Sequence, residues 1–261
     1  MERRASVATV TGRSPAPYRD LTLWLYRNAW YAFLGLTAFA VLAFWPRYLA
    51  QPLGKDIRFH VHAAALGAWC ALLIGQSFLI RAGQRAWHRR LGRWSYVVGP
   101  AVSLSILVLN HHRSQARDLD AFRLWLFTSN IGDAALFFVC WALAMAARKT
   151  PIVHSRYMVC TAVTFIPPIF DRLLSRYALT PLTESVLPIV GGRPFTILPS
   201  FVMVFVALGA LAWWDWRNMR RSTVFAKMFV FFAVFYAAPL ILVRLPWWRR
   251  VIVWYLSMPL S

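Results

Sequence analysis

Residues 59–80 read FHVHAAALGAWCALLIGQSFLI, and this stretch decides the fold. It carries no charge and is long enough to cross about 30 Å of hydrocarbon, which takes roughly 20 apolar residues. It also holds His60 and His62 at its start and Gln76 near its end, which a plain lipid anchor does not require. Further apolar runs, each bounded by charge clusters, give seven expected spans at about 28–46, 59–80, 94–112, 124–147, 157–175, 195–214 and 224–243. A composition of 59% hydrophobic side chains with 14 tryptophans in 261 residues exceeds what a soluble domain of this size carries. The expected fold class is all-α, a polytopic membrane helix bundle with seven transmembrane helices. Residues 1–27 form a cytoplasmic N-terminal tail, 28–243 the transmembrane domain, and 244–261 an interfacial C-terminal tail whose tryptophans and arginines suit the headgroup region.

The net charge of +20 does not mark a nucleic-acid binder, because the basic residues sit in short segments that bracket the apolar runs. That placement orients helices. Counted on alternate sides, Lys and Arg divide 17 to 12, which puts the N-terminus in the cytoplasm and the C-terminus outside. The preponderance of arginine over lysine points to a bacterial source, and so to a multi-pass protein of the inner membrane with the lipid bilayer as its main partner. Residues 1–28 lack the apolar core of a cleavable signal peptide. Cys70, Cys140 and Cys160 fall within apolar runs and read as small core residues.

On a helix, His62, Trp69 and Gln76 recur every seven residues and share one stripe, expected to face the bundle interior. Ala63, Gly67, Ala71 and Gly75 recur every four and form a small-residue ridge, expected to seat a neighbouring helix. His60 is expected nearer the outer headgroups. Histidines group by side. His60, His62, His111 and His112, with Asp118 and Asp120, lie outward and are candidate metal ligands, although their spacing matches no closed zinc pattern. His88 and His154 lie inward at helix starts, each followed by an arginine two positions on, Arg90 and Arg156. Helix N-termini with adjacent guanidinium groups are candidate sites for a cofactor's anionic group, a haem propionate or a lipid phosphate. The two hairpins that carry them read as a weak internal repeat. Pro167 and Pro168 are expected to kink the fifth span. Asp133, about ten positions into the fourth span, is the costliest residue in the chain, and Arg172 is its expected ion-pair partner.

Together these positions resemble an uncharacterised family of predicted bacterial multi-pass membrane proteins, a domain of unknown function. The resemblance rests on His62 and Gln76, the stretch HRRLG from His88 to Gly92, the stretch HSRYM from His154 to Met158, and Arg172. It covers residues 60–175 and implies a membrane bundle in which these polar positions matter. It implies no reaction.

The leading functional expectation is a membrane protein holding haem b or a transition metal through histidines, for electron transfer or assembly of a respiratory complex. Its partners would then be respiratory-chain components or another membrane subunit. The alternatives are a transporter, proton-coupled or for a lipid-like molecule, centred on Asp133 and Arg172, and a non-catalytic structural subunit.

Overall fold

The computed structural model describes residues 18–115, 119–178, 189–190, 193–194, 197–218 and 223–259. Almost all of them are helical. The first helix, α1, runs Tyr18–Phe44 and ends in a π-helical turn, Trp45–Leu49. It begins well before the expected span start at 28, because the polar first turns continue the helix past the apolar run. Helix α2 spans Ile57–Arg81, with Asp56 as N-cap accepting the backbone N–H of Arg58. Gly83, at φ +71°, makes the left-handed turn into the short polar helix α3, Arg85–Gly92. Then follow α4, Ser95–Ser114, and α5, Ala121–Ala146, the latter capped by Asp120.

The fifth apolar run is broken, as its prolines require. Helix α6 runs Pro151–Val163 and α7 runs Ile166–Leu173, with a further π-helical turn at Leu174–Ala178. Pro167 and Pro168 lack the N–H that a continuous helix would use. In the turn before the break, the Thr161 hydroxyl donates to the Met158 carbonyl at 2.6 Å, and the Thr164 hydroxyl to the Thr161 carbonyl at 2.8 Å. A two-residue antiparallel pair, β1 at Ile189–Val190 and β2 at Arg193–Pro194, precedes α8, Ile197–Asn218. Helix α9 runs Val224–Leu242 and the amphipathic α10 runs Pro246–Leu256.

Five of these segments are long and apolar enough to cross a membrane: α2, α5, α6–α7, α8 and α9. The pair α3–α4, bent by 42°, makes a sixth, with α4 supplying the apolar stretch, and residues 28–44 form a shorter apolar helix. Many large apolar side chains face outward mid-helix, among them Phe39, Leu104, Phe138, Val206 and Val234. A soluble surface does not carry that density of apolar groups, whereas a lipid-facing one does. The chain is a multi-pass membrane protein.

The helices close a ring in the order α1, α2, α4, α5, α9, α8, with α8 returning to α1. The broken α6–α7 segment runs inside that ring and touches α1, α5, α8 and α9. Burial agrees: 44% of its apolar window is buried, against 11% for α2. Trp69 from α2, Phe137 from α5, and Ala162, Phe165 and Ile169 from α6–α7 form one core cluster. The Trp69 indole N–H donates to Thr161 at 3.2 Å, fixing α2 to the central helix.

The small-residue ridge on α2 is not a seam within this chain. Gly67 and Ala71 are exposed, and a methyl group added at Gly67 or Gly75 would meet nothing within 4 Å. The close helix approach lies elsewhere. Gly99 on α4 leaves room for the Trp141 indole of α5, whose N–H donates to the Ser95 carbonyl at 2.9 Å.

Candidate functional site

Three polar regions sit at three depths. At one membrane end, Gln76 reaches from α2 across to α3. Its Oε1 accepts the backbone N–H of Gly92 at 3.1 Å, and its amide N–H groups donate to the carbonyl of His88 at 3.0 Å and to its Nδ1. The Gly92 contact fixes the amide orientation, so Nδ1 of His88 is an acceptor and its proton resides on Nε2. His154 carries the opposite tautomer: its Nδ1–H donates to the Ala144 carbonyl at 2.8 Å, covering one of the open acceptors at the end of α5. Burial holds His88 below the ordinary histidine pKa of 6.5, and the charges of His154 and Arg89 add to that shift. Gln76 and His88 thus meet directly, and His154 lies within electrostatic reach of His88.

Their arginines do not follow. Arg90 is exposed and lies over the Trp87 ring at 5.4 Å. Arg156 is buried and bound in bidentate fashion by Asp215 of α8, with Nε and Nη2 each 2.6 Å from a carboxylate oxygen. A third N–H donates to the Ile152 carbonyl at 2.9 Å. This guanidinium is committed to an internal carboxylate and cannot receive a ligand's anionic group while that pair holds. Asp215 escaped the sequence reading, although a lone acid within the tryptophans of WWDW, at the same membrane end as Arg156, carried the signal. The exposed Arg90 and buried Arg156 also break the likeness of the two hairpins.

At the opposite membrane end each histidine has its own partner. His60 Nδ1 lies 2.9 Å from the Tyr48 hydroxyl, beside the end of α1. His62 points inward to α4, where its Nδ1 meets the Ser105 hydroxyl at 3.0 Å. Because Ser105 donates its own proton to Val102, His62 is the donor in that contact. Arg172 and Arg113 lie within electrostatic reach. Buried His111 donates from Nε2 to the Tyr255 carbonyl of α10 at 3.1 Å. His112 joins Asp56 and Arg58 at the α2 N-cap, where the Arg58 backbone N–H, then its guanidinium and the His112 charge hold the Asp56 carboxyl below its ordinary range. Asp118 lies outside the described residues. His60, His62, His111 and His112 therefore do not converge, and no three His, Cys, Asp or Glu side chains among the described residues form a metal-holding group. The donor set does not fit a transition metal. Nor does His88, with its proton on Nε2 and its Nδ1 engaged, present a free nitrogen to haem iron.

The third region lies at mid-depth. Asp133 sits twelve residues into α5, on the order of 18 Å from its start. It makes no ion pair with Arg172, whose Nη1 donates to the Pro168 carbonyl at 2.6 Å and whose guanidinium lies 4.8 Å from the centre of the Phe44 ring. The two residues occupy different faces of the ring-and-centre packing: Arg172 turns to α1, while Asp133 turns to α8 and α9. There it lines a cavity with Ser129, Asn130, Phe201, Tyr236 and Pro239. Among the described residues the buried Tyr236 hydroxyl has no hydrogen-bond partner, and none donates to or pairs with the Asp133 carboxyl. Asn130 donates to Asn110 on α4 at 2.9 Å, and Asn110 to the Phe127 carbonyl at 3.1 Å, so polar groups continue from the cavity wall toward the end that carries His111. The cavity holds about 20 Å³, enough for one water and too little for an organic solute.

These geometries stand alone: comparison with protein-family models, with curated proteins and with solved structures finds no match for this chain.

Proposed function

We propose that this chain is a proton-coupled carrier of the bacterial inner membrane, worked by reversible protonation of Asp133. The observation that carries the proposal is an unpaired carboxyl at mid-span, opening with the unpartnered Tyr236 hydroxyl onto a cavity the size of one water. Burying a carboxylate without a counter-ion is costly, and taking up a proton removes that cost. Binding and release of one proton therefore change the charge at the joint between α5, α8 and α9. Seven spans complete the reading: the five long helices, the α3–α4 pair and α1. The 17-to-12 basic count supports a cytoplasmic N-terminus. The size of the cavity argues against Asp133 as the seat of a lipid-like solute, so the solute path is assigned elsewhere.

We also read residues 60–175 as kin to the uncharacterised membrane family that they resemble. The contact of Gln76 with both His88 and Gly92 supports this, because it joins two separate motif segments through one amide. Haem b, a transition metal, electron transfer and respiratory-complex assembly have no such support in the donor geometry.

Dicyclohexylcarbodiimide, which reacts with protonated carboxyl groups in apolar surroundings, provides the test on the full chain in vesicles. Peptide mapping should place the adduct on Asp133, with a rate that falls as pH rises, and Asp133→Asn should abolish the adduct and any pH-gradient-driven uptake. Absence of the adduct at every pH sinks the proposal. Uptake that Asp133→Asn leaves unchanged sinks it as well.

A further inference from the structure

Helix α10 docks through one face and leaves the other bare. Trp248, Ile252 and Tyr255 pack on Leu124 and Phe127 of α5. The Trp248 indole donates to Thr128 at 2.9 Å, and the Tyr255 hydroxyl donates to the Leu107 carbonyl of α4 at 3.3 Å. These contacts set the helix across the ends of α4 and α5 and fix its rotation. The opposite face then presents Pro246, Arg249, Arg250, Val253 and Trp254, which line one shallow groove. Their spacing of three, four, seven and eight residues places them on a single helix stripe.

Neither Arg249 nor Arg250 has an ion pair or side-chain hydrogen bond among the described residues, and no acidic residue occurs between 224 and 261. Arg244, two residues before the helix, is likewise unpaired among the described residues and exposed. Trp247 and Trp254 flank the arginines and are 53% and 63% exposed, the pattern of indoles seated at headgroup level. Two adjacent unpaired guanidinium groups, beside an apolar wall and held at the membrane surface, are complementary to a phosphodiester that carries acyl chains. We propose that this groove binds the phosphate of an anionic phospholipid, with Arg249 and Arg250 on the phosphate and Val253 and Trp254 against the first carbons of an acyl chain. The site is independent of Asp133.

Native mass spectrometry of the full chain in detergent, titrated with phosphatidylglycerol or phosphatidylcholine, tests this. Wild type should retain phosphatidylglycerol on the order of tenfold more strongly. Arg249→Gln with Arg250→Gln should erase that preference, Arg249→Lys with Arg250→Lys should keep most of it, and Arg89→Gln with Arg90→Gln at the other membrane end should leave it unchanged. Equal retention of the two lipids by wild type overturns the proposal, as does a preference that survives the glutamine pair. Displacement of phosphatidylglycerol by millimolar inorganic phosphate also overturns it, because the groove would then be a site for free anions.

Discussion

Asp133 and Asp215 are both acids within apolar helices, and their surroundings give them opposite roles. Asp215 is 3% exposed and fully matched by Arg156, so removing either partner leaves a buried charge without compensation. Arg156→Gln or Asp215→Asn should each cost about 3–5 kcal/mol, and the double change should recover much of the loss. Thermal unfolding in detergent measures all three. Asp133 has no such partner, so Asp133→Asn should shift stability by less than about 1 kcal/mol in either direction. A fall as large as that of the Asp215 variant would show a missed counter-ion. The inward turn of His62 and Gln76 was legible in the sequence, because a seven-residue spacing on one helix fixes a shared face. That Asp133 meets no partner among the described residues was not. Depth along a helix follows from counting residues, but which faces of two helices meet depends on packing, and Arg172 turned toward α1.

Among the elements, the short α3 shows how one side chain can hold a turn. Gln76 engages both His88 and Gly92, and a protonated His88 Nδ1 cannot accept the Gln76 amide. The folded pKa of His88 lies below its unfolded value of 6.5, so the unfolded chain takes up the proton first as pH falls. The stability from this contact is therefore full above about pH 6.5 and lost as pH drops below it toward the folded value. Melting curves between pH 7.5 and 5 should show this loss in wild type and a flatter profile in His88→Asn. A second element-level expectation concerns the α4–α5 seam. A methyl group at Gly99 would overlap the Trp141 ring, so Gly99→Ala should destabilise by about 1–3 kcal/mol. The same substitution at Gly67 should not destabilise, since that position is open. Sequence periodicity placed a glycine ridge on α2 but could not say whether it met protein or lipid, because both accept small residues. The break between α6 and α7 was legible, since proline acts on its own backbone whatever the neighbours do.

In the whole molecule, span positions were readable to within a few residues, except at the start of α1 and in the broken fifth span, because each apolar run must match the bilayer. The arrangement was not readable. Four polar-bearing spans suggest a four-helix core, whereas the ring places the broken α6–α7 at the centre with buried Arg156, Thr161 and Thr164 upon it. That centre joins the Arg156–Asp215 pair, toward one membrane end, to Arg172, toward the other, within one segment. Its direction across the membrane then decides which bulk phase each end meets. The orientation proposed from the basic-residue count would put the α6 start, with His154, on the cytoplasmic side, and the α4 end, with His111, outside. Both ends offer labelling sites in polar segments, Gln115 just beyond α4 and the exposed Ile152 at the start of α6. A membrane-impermeant maleimide applied to intact cells should label Gln115→Cys and spare Ile152→Cys, and opening the cells should expose the second. The native thiols do not compete, since Cys140 and Cys160 are buried and Cys70 lies mid-span. Labelling of Ile152→Cys alone in intact cells would invert the protein, putting the lipid groove of α10 on the cytoplasmic leaflet and the Gln76–His88 contact outside.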